Sequence, residues 1–166
     1  MDSAALLAEI PRLRRYARAL VRERTAADDL VQDTLERAWS RSAQWRPGGD
    51  LRAWLFGIMH NLRVDQIRRP QPATLSLGDD EPLVPVRATQ SDLLEVGDLE
   101  TALASLAEEQ RAVLLLVALE EMSHAEVAAT LGIPVGTVMS RLARGRERLR
   151  LILEGGAPSA KLRVVR

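Results

Sequence analysis

The stretch "SHAEVAATLGIPVGTVMSRLARGRERLR", Ser123 to Arg150, decides how this chain is read. Ser123 with Glu126 is the reciprocal pairing that opens a helix, hydroxyl and carboxylate each taking one free backbone N–H. Gly132 is a natural stop, since a helix ends easily on a residue that tolerates the left-handed region. Two short helices around a tight turn must pack closely, which demands a small residue where they cross. Ala128 supplies it, flanked by Val127 and Leu131, while Gly132 and Ile133 make the turn and its plug. Val138 and Leu142 then face inward from the second helix. Thr137, Arg141, Arg144 and Arg148 fall at i, i+4, i+7 and i+11, so they share one outward stripe. Its N-terminal end is the part of such a helix that reaches base edges in a major groove. Arginines also coat ordinary solvated hairpins. The Ala–Gly spacing, Gly136-Thr137 at the helix start and the single arginine stripe favour a DNA-reading helix-turn-helix.

A formal net charge of zero looks wrong for a DNA-binding chain, but the charges are blocked. Residues 11–24 carry six Arg against one Glu, and 134–150 five Arg against one Glu. Residues 28–37 carry four acids against one Arg, and 78–100 seven acids against one Arg. Alternating blocks predict separate surfaces for separate partners, one of them polyanionic. All basic residues but Lys161 are arginine, which suits phosphate and base-edge contacts.

Apolar residues recur at helical spacing through Leu6, Ile10, Leu13, Ala17 and Leu20, with Pro11 marking a kink or a fresh start. Thr25 with Asp28 reads as a capping box for a helix running through Trp39, its apolar stripe passing Ala27, Leu30 or Val31, and Ala38. "RPGGD", Arg46 to Asp50, is a turn ending in an N-cap. The helix from Leu51 stops before Pro70 and is expected to bury Trp54, Leu55, Ile58 and Leu62. Trp39 and Trp54 are assigned to the core, and Trp45, in the loop, is left open. Four prolines and a run of acids between 70 and 90 predict a flexible or extended linker. Ser105 with Glu108 reads as another capping box, before a nearly continuous apolar helix. No stretch alternates at a period of two. The expected fold is therefore all-α, with two small helical domains: residues 1–69, a linker at 70–92, a helix-turn-helix domain at 93–154 and a mobile tail at 155–166.

With these motifs in hand, the chain resembles bacterial extracytoplasmic-function sigma factors of the sigma-70 family. Ser123 to Leu149 is similar to region 4, "ADDLVQDTLERAW" (Ala27 to Trp39) to region 2.2, and "LRAWLFGIMHNLRVDQIRR" (Leu51 to Arg69) to regions 2.3 and 2.4. The resemblance implies that the N-terminal domain, σ2, docks on the β′ clamp helices of core RNA polymerase and opens the −10 element. It implies that the C-terminal domain, σ4, sits on the β flap and reads the −35 element of promoter DNA. At matching positions, Asp29, Gln32 and Asp33 would face core polymerase. Asn61, Arg63, Arg68 and Arg69 would serve the −10 element, where the loop Gln44–Asp50 would hold an extruded base. Thr137, Ser140, Arg141, Arg144 and Arg148 would serve the −35 element. An anti-sigma factor covering both DNA-facing surfaces is expected on the same ground. Two departures stand out: Ala107 replaces a helix-starting proline, with Ser105 expected to cap instead, and Met139 replaces a basic residue.

Other chemistry finds no support in the sequence. His60 and His124 lack companions at metal-ligand spacing, and there is no phosphate loop, dinucleotide turn or nucleophile elbow. No metal, no cofactor and no intrinsic enzymatic activity are expected. The apolar runs are too short to span a membrane and the N-terminus does not read as a secretory signal. With no cysteine present, the chain is expected to be cytoplasmic. Two alternatives remain: a sigma mimic that sequesters an anti-sigma factor, and a free-standing helix-turn-helix regulator.

Overall fold

The computed structural model describes residues 1–69 and 91–155, with the side chains of 91–96 excepted; residues 70–90 of the expected linker and the tail after Gly155 lie outside the described residues, while 91 and 92, expected in the linker, already belong to a helix. Seven α-helices and one 3-10 turn make up the described residues, with no strand among them. The N-terminal group is α1 (Ser3–Leu20), α2 (Arg24–Ser40), a 3-10 turn (Ser42–Gln44) and α3 (Leu51–Arg68). The C-terminal group is α4 (Ser91–Ala104), α5 (Glu108–Ala118), α6 (His124–Leu131) and α7 (Val135–Leu153).

Helix α1 runs unbroken through Pro11 and buries Leu6, Leu13, Tyr16, Ala17 and Leu20. Against it α2 lays Ala27, Leu30, Val31, Thr34 and Ala38. The α3 helix closes this core with Leu55, Phe56, Ile58 and Met59, and the Phe56 ring meets Tyr16 edge-on at 5.0 Å. Trp54 and Leu62, expected inside, are only half-buried. Trp39 is a clearer correction, being 57% exposed. It follows Ala38 by one residue, hence by about 100° around the helix, which carries its ring off the buried stripe.

Local caps explain where the helices begin. Asp50 accepts from Ala53 N–H at 3.1 Å as the turn before α3 predicts. Ser123 and Glu126 form the full capping box, and Gly132 ends α6 at φ 67°. Two other expected boxes are not formed. Glu23, not Thr25, caps α2, its carboxylate accepting from Thr25 and Ala26 N–H at 3.0 and 2.7 Å. Helix α5 begins at Glu108 with Ala107 at the cap position and no side-chain cap. Ser105 is two residues too early for that cap. Its hydroxyl instead donates to Ala102 carbonyl at 2.7 Å.

The two groups are packed on one another, α1 against α5 and α3 against α6. Gly57 makes the second contact close: a Cβ there would stand 3.2 Å from the Thr130 carbonyl oxygen. Near the first, Arg111 is buried within the α5 stripe, donating to Leu20 carbonyl at 2.5 Å and Leu106 carbonyl at 3.0 Å. Such a guanidinium is kept by its acceptors, because a buried charge without them costs several kcal/mol.

Candidate nucleic-acid and protein interfaces

On α7, Val138 and Leu142 are buried against the rest of the C-terminal group, as are Val127, Ala128 and Leu131 of α6. That packing turns the opposite face of α7 outward. Arg144 and Arg148 are exposed, and neither takes part in an ion pair among the described residues. Thr137 is half-buried at the helix start, and the exposed Ser140 donates its hydroxyl hydrogen to Thr137 carbonyl at 3.1 Å. Arg141 is half-buried and lies 3.7 Å from the Glu109 carboxylate of α5. The stripe is thus two free guanidinium groups and one already engaged. Met139 is 53% exposed beside it, an apolar patch at the edge of a basic face.

The candidate residues of α3 divide. Asn61 and Arg68 are seven positions apart, so they share a face and line one cleft between α2 and α3. Arg37 of α2 and Arg41 at its C-terminal cap line the same cleft, bringing three arginines and an amide together beside the Asp65 carboxylate. Sequence reading missed both α2 arginines, because their i, i+4 spacing points to α3 only once the two helices are paired. Arg69 lines the neighbouring cleft with Asp33, Glu36 and Asp65. Arg63 goes elsewhere. Two residues beyond Asn61, it is rotated about 200° around the helix. Its Nε–H donates to Glu108 Oε1 of α5 at 2.6 Å, and its Nη1 donates to Gln66 at 3.3 Å.

Helix α2 presents Asp29, Gln32 and Asp33 on one exposed face. Gln32 donates to Glu36 one turn on, at 3.1 Å, while Asp29 and Asp33 have no ion-pair partner among the described residues. Around the corner Leu6, Leu7, Ile10, Leu35 and Trp39 line an apolar groove between α1 and α2. Leu7 and Trp39 are both more than half exposed there. Acids beside an open apolar groove suit a protein partner with basic and apolar side chains. In the loop, Trp45 is half-buried and tilted against Trp54 at 5.3 Å, which leaves it part of its ring for contact.

His60 is half-buried and its imidazole is held below its ordinary pKa, first by burial and then by Arg141; Glu108 and Glu109 pull the other way. His124 is half-buried at the start of α6. Among the described residues, no cluster of His, Asp and Glu is arranged to hold a metal ion. None of the described helices is long and apolar enough to cross a membrane.

Residues 6–60 match the family described as the Sigma2 domain of PhyR, and residues 97–149 match Sigma-70, region 4. The chain is similar to the ECF RNA polymerase sigma factor EcfG of Rhodopseudomonas palustris, with 37% identity over 149 residues. That alignment covers 89% of this chain and 82% of its relative. Among solved structures, it is similar to the sigma factor RpoE of Bartonella quintana in complex with the anti-sigma factor NepR. There the TM-score is 0.70 at 30% identity, covering 91% of this chain and 95% of the other. It is also similar to CnrH in complex with the cytosolic domain of CnrY, with a TM-score of 0.66 at 29% identity, covering 93% and 90%.

Proposed function

Because the chain belongs to the ECF family of RNA polymerase sigma factors, we propose that its separate surfaces divide the work of promoter recognition between them. As a member of this family it binds core RNA polymerase and directs transcription initiation; the assignments to residues are ours. The acidic face of α2, Asp29, Gln32 and Asp33, docks on the β′ clamp helices of core polymerase. Asn61 and Arg68, with Arg37 and Arg41 across their cleft, take the −10 element, joined by Arg69 from the neighbouring cleft. Opening a duplex without ATP requires that lost stacking and pairing be replaced by protein contacts. A cleft lined by three arginines and one amide against a single carboxylate, Asp65, offers donors both to phosphates and to an extruded base, and Trp45 offers a stacking face. Thr137, Ser140, Arg144 and Arg148 take the −35 element, with Arg141 in reserve. The chemistry of polymerisation belongs to the core enzyme, and the protein works in the cytoplasm, where its partners are.

One observation carries this reading: two different donor-rich helical surfaces occur in one chain, together with an unpaired acidic face that DNA binding does not explain. A net charge of zero fits a protein that reads DNA only as part of a larger complex, since unaided binding depends on phosphate neutralisation. An anti-sigma partner belongs to the same reading, motivated by the similar sigma factor solved with the anti-sigma factor NepR. The deciding measurement is run-off transcription with purified core polymerase on a library of promoter variants. Selection of particular −10 and −35 sequences, dependent on added protein, is the expected result. Failure to bind core at micromolar concentration would sink the proposal and favour a sigma mimic.

A further inference from the structure

Helix α7 carries exposed side chains of two kinds. Arg144 and Arg148 stand on one flank of its free face, the flank assigned above to the −35 element. On the other flank stand Met139, 53% exposed, and Val135, 43% exposed. One helical turn separates these two, so they share a line about 140° around the helix from Arg144. Gly136, Ser140 and Ala143 lie between the flanks, all exposed and all small. A Cβ at Gly136 would meet nothing within 4 Å, so the front of the first turn is open. The acid farther along that front, Glu147, is engaged by Arg150 at 2.7 and 3.1 Å. Single exposed apolar side chains are ordinary on a protein surface. Two on one line, at the end of a helix that enters DNA, are not explained by packing, because Val138 and Leu142 already fill the inward stripe.

From this placement we infer that Met139, with Val135 beside it, is a specificity-determining residue of the −35 contact and reads the C5-methyl groups of thymines in the major groove. The inference deepens the sigma-factor reading and rests on it. A front of small side chains lets the helix seat close to the floor of a groove about 12 Å wide, with its flanks against base edges on either side. On the arginine flank, donors meet phosphates and acceptor edges. On the opposite flank a thioether has nothing to offer a phosphate, so it adds nothing to affinity through counterion release. The thymine methyl is the one apolar group that the bases present in the major groove, and contact removes both apolar surfaces from water. Methionine suits such a contact, because an unbranched, polarizable chain adapts to an uneven surface. It therefore selects sequence: the contact is lost wherever another base replaces the thymine, at about fourfold per methyl.

Deoxyuridine tests this directly, since it keeps the pairing and the O4 acceptor of thymidine and lacks only the methyl. Promoters selected by the parent protein with core polymerase are remade with deoxyuridine at each −35 thymine in turn, on either strand. With the parent holoenzyme, run-off should fall about fourfold for replacement at one or two adjacent positions. Met139→Ala should start from a lower rate and show no response to the same replacements, while circular dichroism shows helix content retained. Met139→Leu keeps an apolar side chain of similar size and should keep most of the response, which a merely structural residue would not produce. A parent rate indifferent to every replacement would overturn the inference and leave the sigma-factor reading intact. So would an equal response in the parent and Met139→Ala, or selected −35 elements with no thymine on either strand. Absence of transcription from the unmodified templates would remove both, so the two failures are told apart.

Discussion

Helices α3 and α7 both carry arginines proposed to meet promoter DNA, but the two sets are in different states. On α7, Arg144 and Arg148 stand in solvent and the inward residues of the same helix are fully packed. On α3, Arg68 is exposed at the edge of a cleft while Arg63, five residues earlier, is held by Glu108 at 2.6 Å. A face that packs only on its own domain leaves the opposite face free. A helix packed on two domains has no such spare face, so some of its charge is spent at the interface. The number of arginines on a helix therefore says less about its readiness to bind DNA than the number of neighbours that helix must satisfy.

That contrast is most sharply broken by paired substitutions. Arg144→Ala removes a free donor, and should lower transcription from a −35-dependent promoter about 5- to 150-fold, the range for losing one good base contact. Arg63→Ala removes a guanidinium already engaged by Glu108 at 2.6 Å, so its effect on transcription should be clearly smaller. Run-off assays on one template, with both variants at equal concentration, make the comparison; equal losses would show that Arg63 is not held back by Glu108.

Smaller effects concern how each helix is started. Ser123→Ala removes a complete capping box and should cost about 1 kcal/mol in thermal or denaturant unfolding. Ser105→Ala should change stability by no more than about 0.5 kcal/mol, since its hydroxyl does not cap α5. The smallest effect is on pH dependence. Burial, then Arg141, lowers the pKa of His60 in the packed protein, while Glu108 and Glu109 oppose that shift. Once unpacked, His60 takes up its proton near its ordinary value of 6.5. Its contribution to stability is thus full above that value and is lost as pH falls through the lowered one. Melting temperatures at about pH 7.5 and about pH 5.5 should differ less in His60→Gln than in the parent.

Much of the local structure was legible because it rests on neighbours in sequence. The Ser123–Glu126 box, the Gly132 stop, the Asp50 cap and the inward Val138 and Leu142 all follow from spacing alone. Where sequence reading failed, two local solutions competed. Thr25–Asp28 and Glu23 both offered to cap α2, and the start of the helix was two residues earlier than the box required. Ser105 had the right partner three residues on, but α4 claimed its hydroxyl first. Trp39 was placed inside on helical periodicity, whereas its position beside Ala38 sends it to the mouth of the α1–α2 groove.

Arg111 shows what a more careful reading would have gained. It shares the apolar face of α5 with Leu114 and Leu115, and an arginine on such a face predicts a buried guanidinium with dedicated acceptors. No pattern identifies those acceptors, because Leu20 carbonyl lies ninety-one residues away in sequence. Glu120 is more hidden still: its buried carboxylate accepts from Arg15 of α1 at 3.1 Å, yet in sequence it is one of two adjacent acids at a helix end that looks solvated.

By itself, the sequence determined that the chain is helical, where its helix-turn-helix begins and turns, and which residue types face outward on α2 and α7. Those properties depend on contacts a few residues apart, and periodicity records them. Tertiary structure alone decided which charges are spent. Arg63 and Arg68 have the same side chain on the same helix, and only the packing of α5 and α6 against α1 and α3 holds one and leaves the other free.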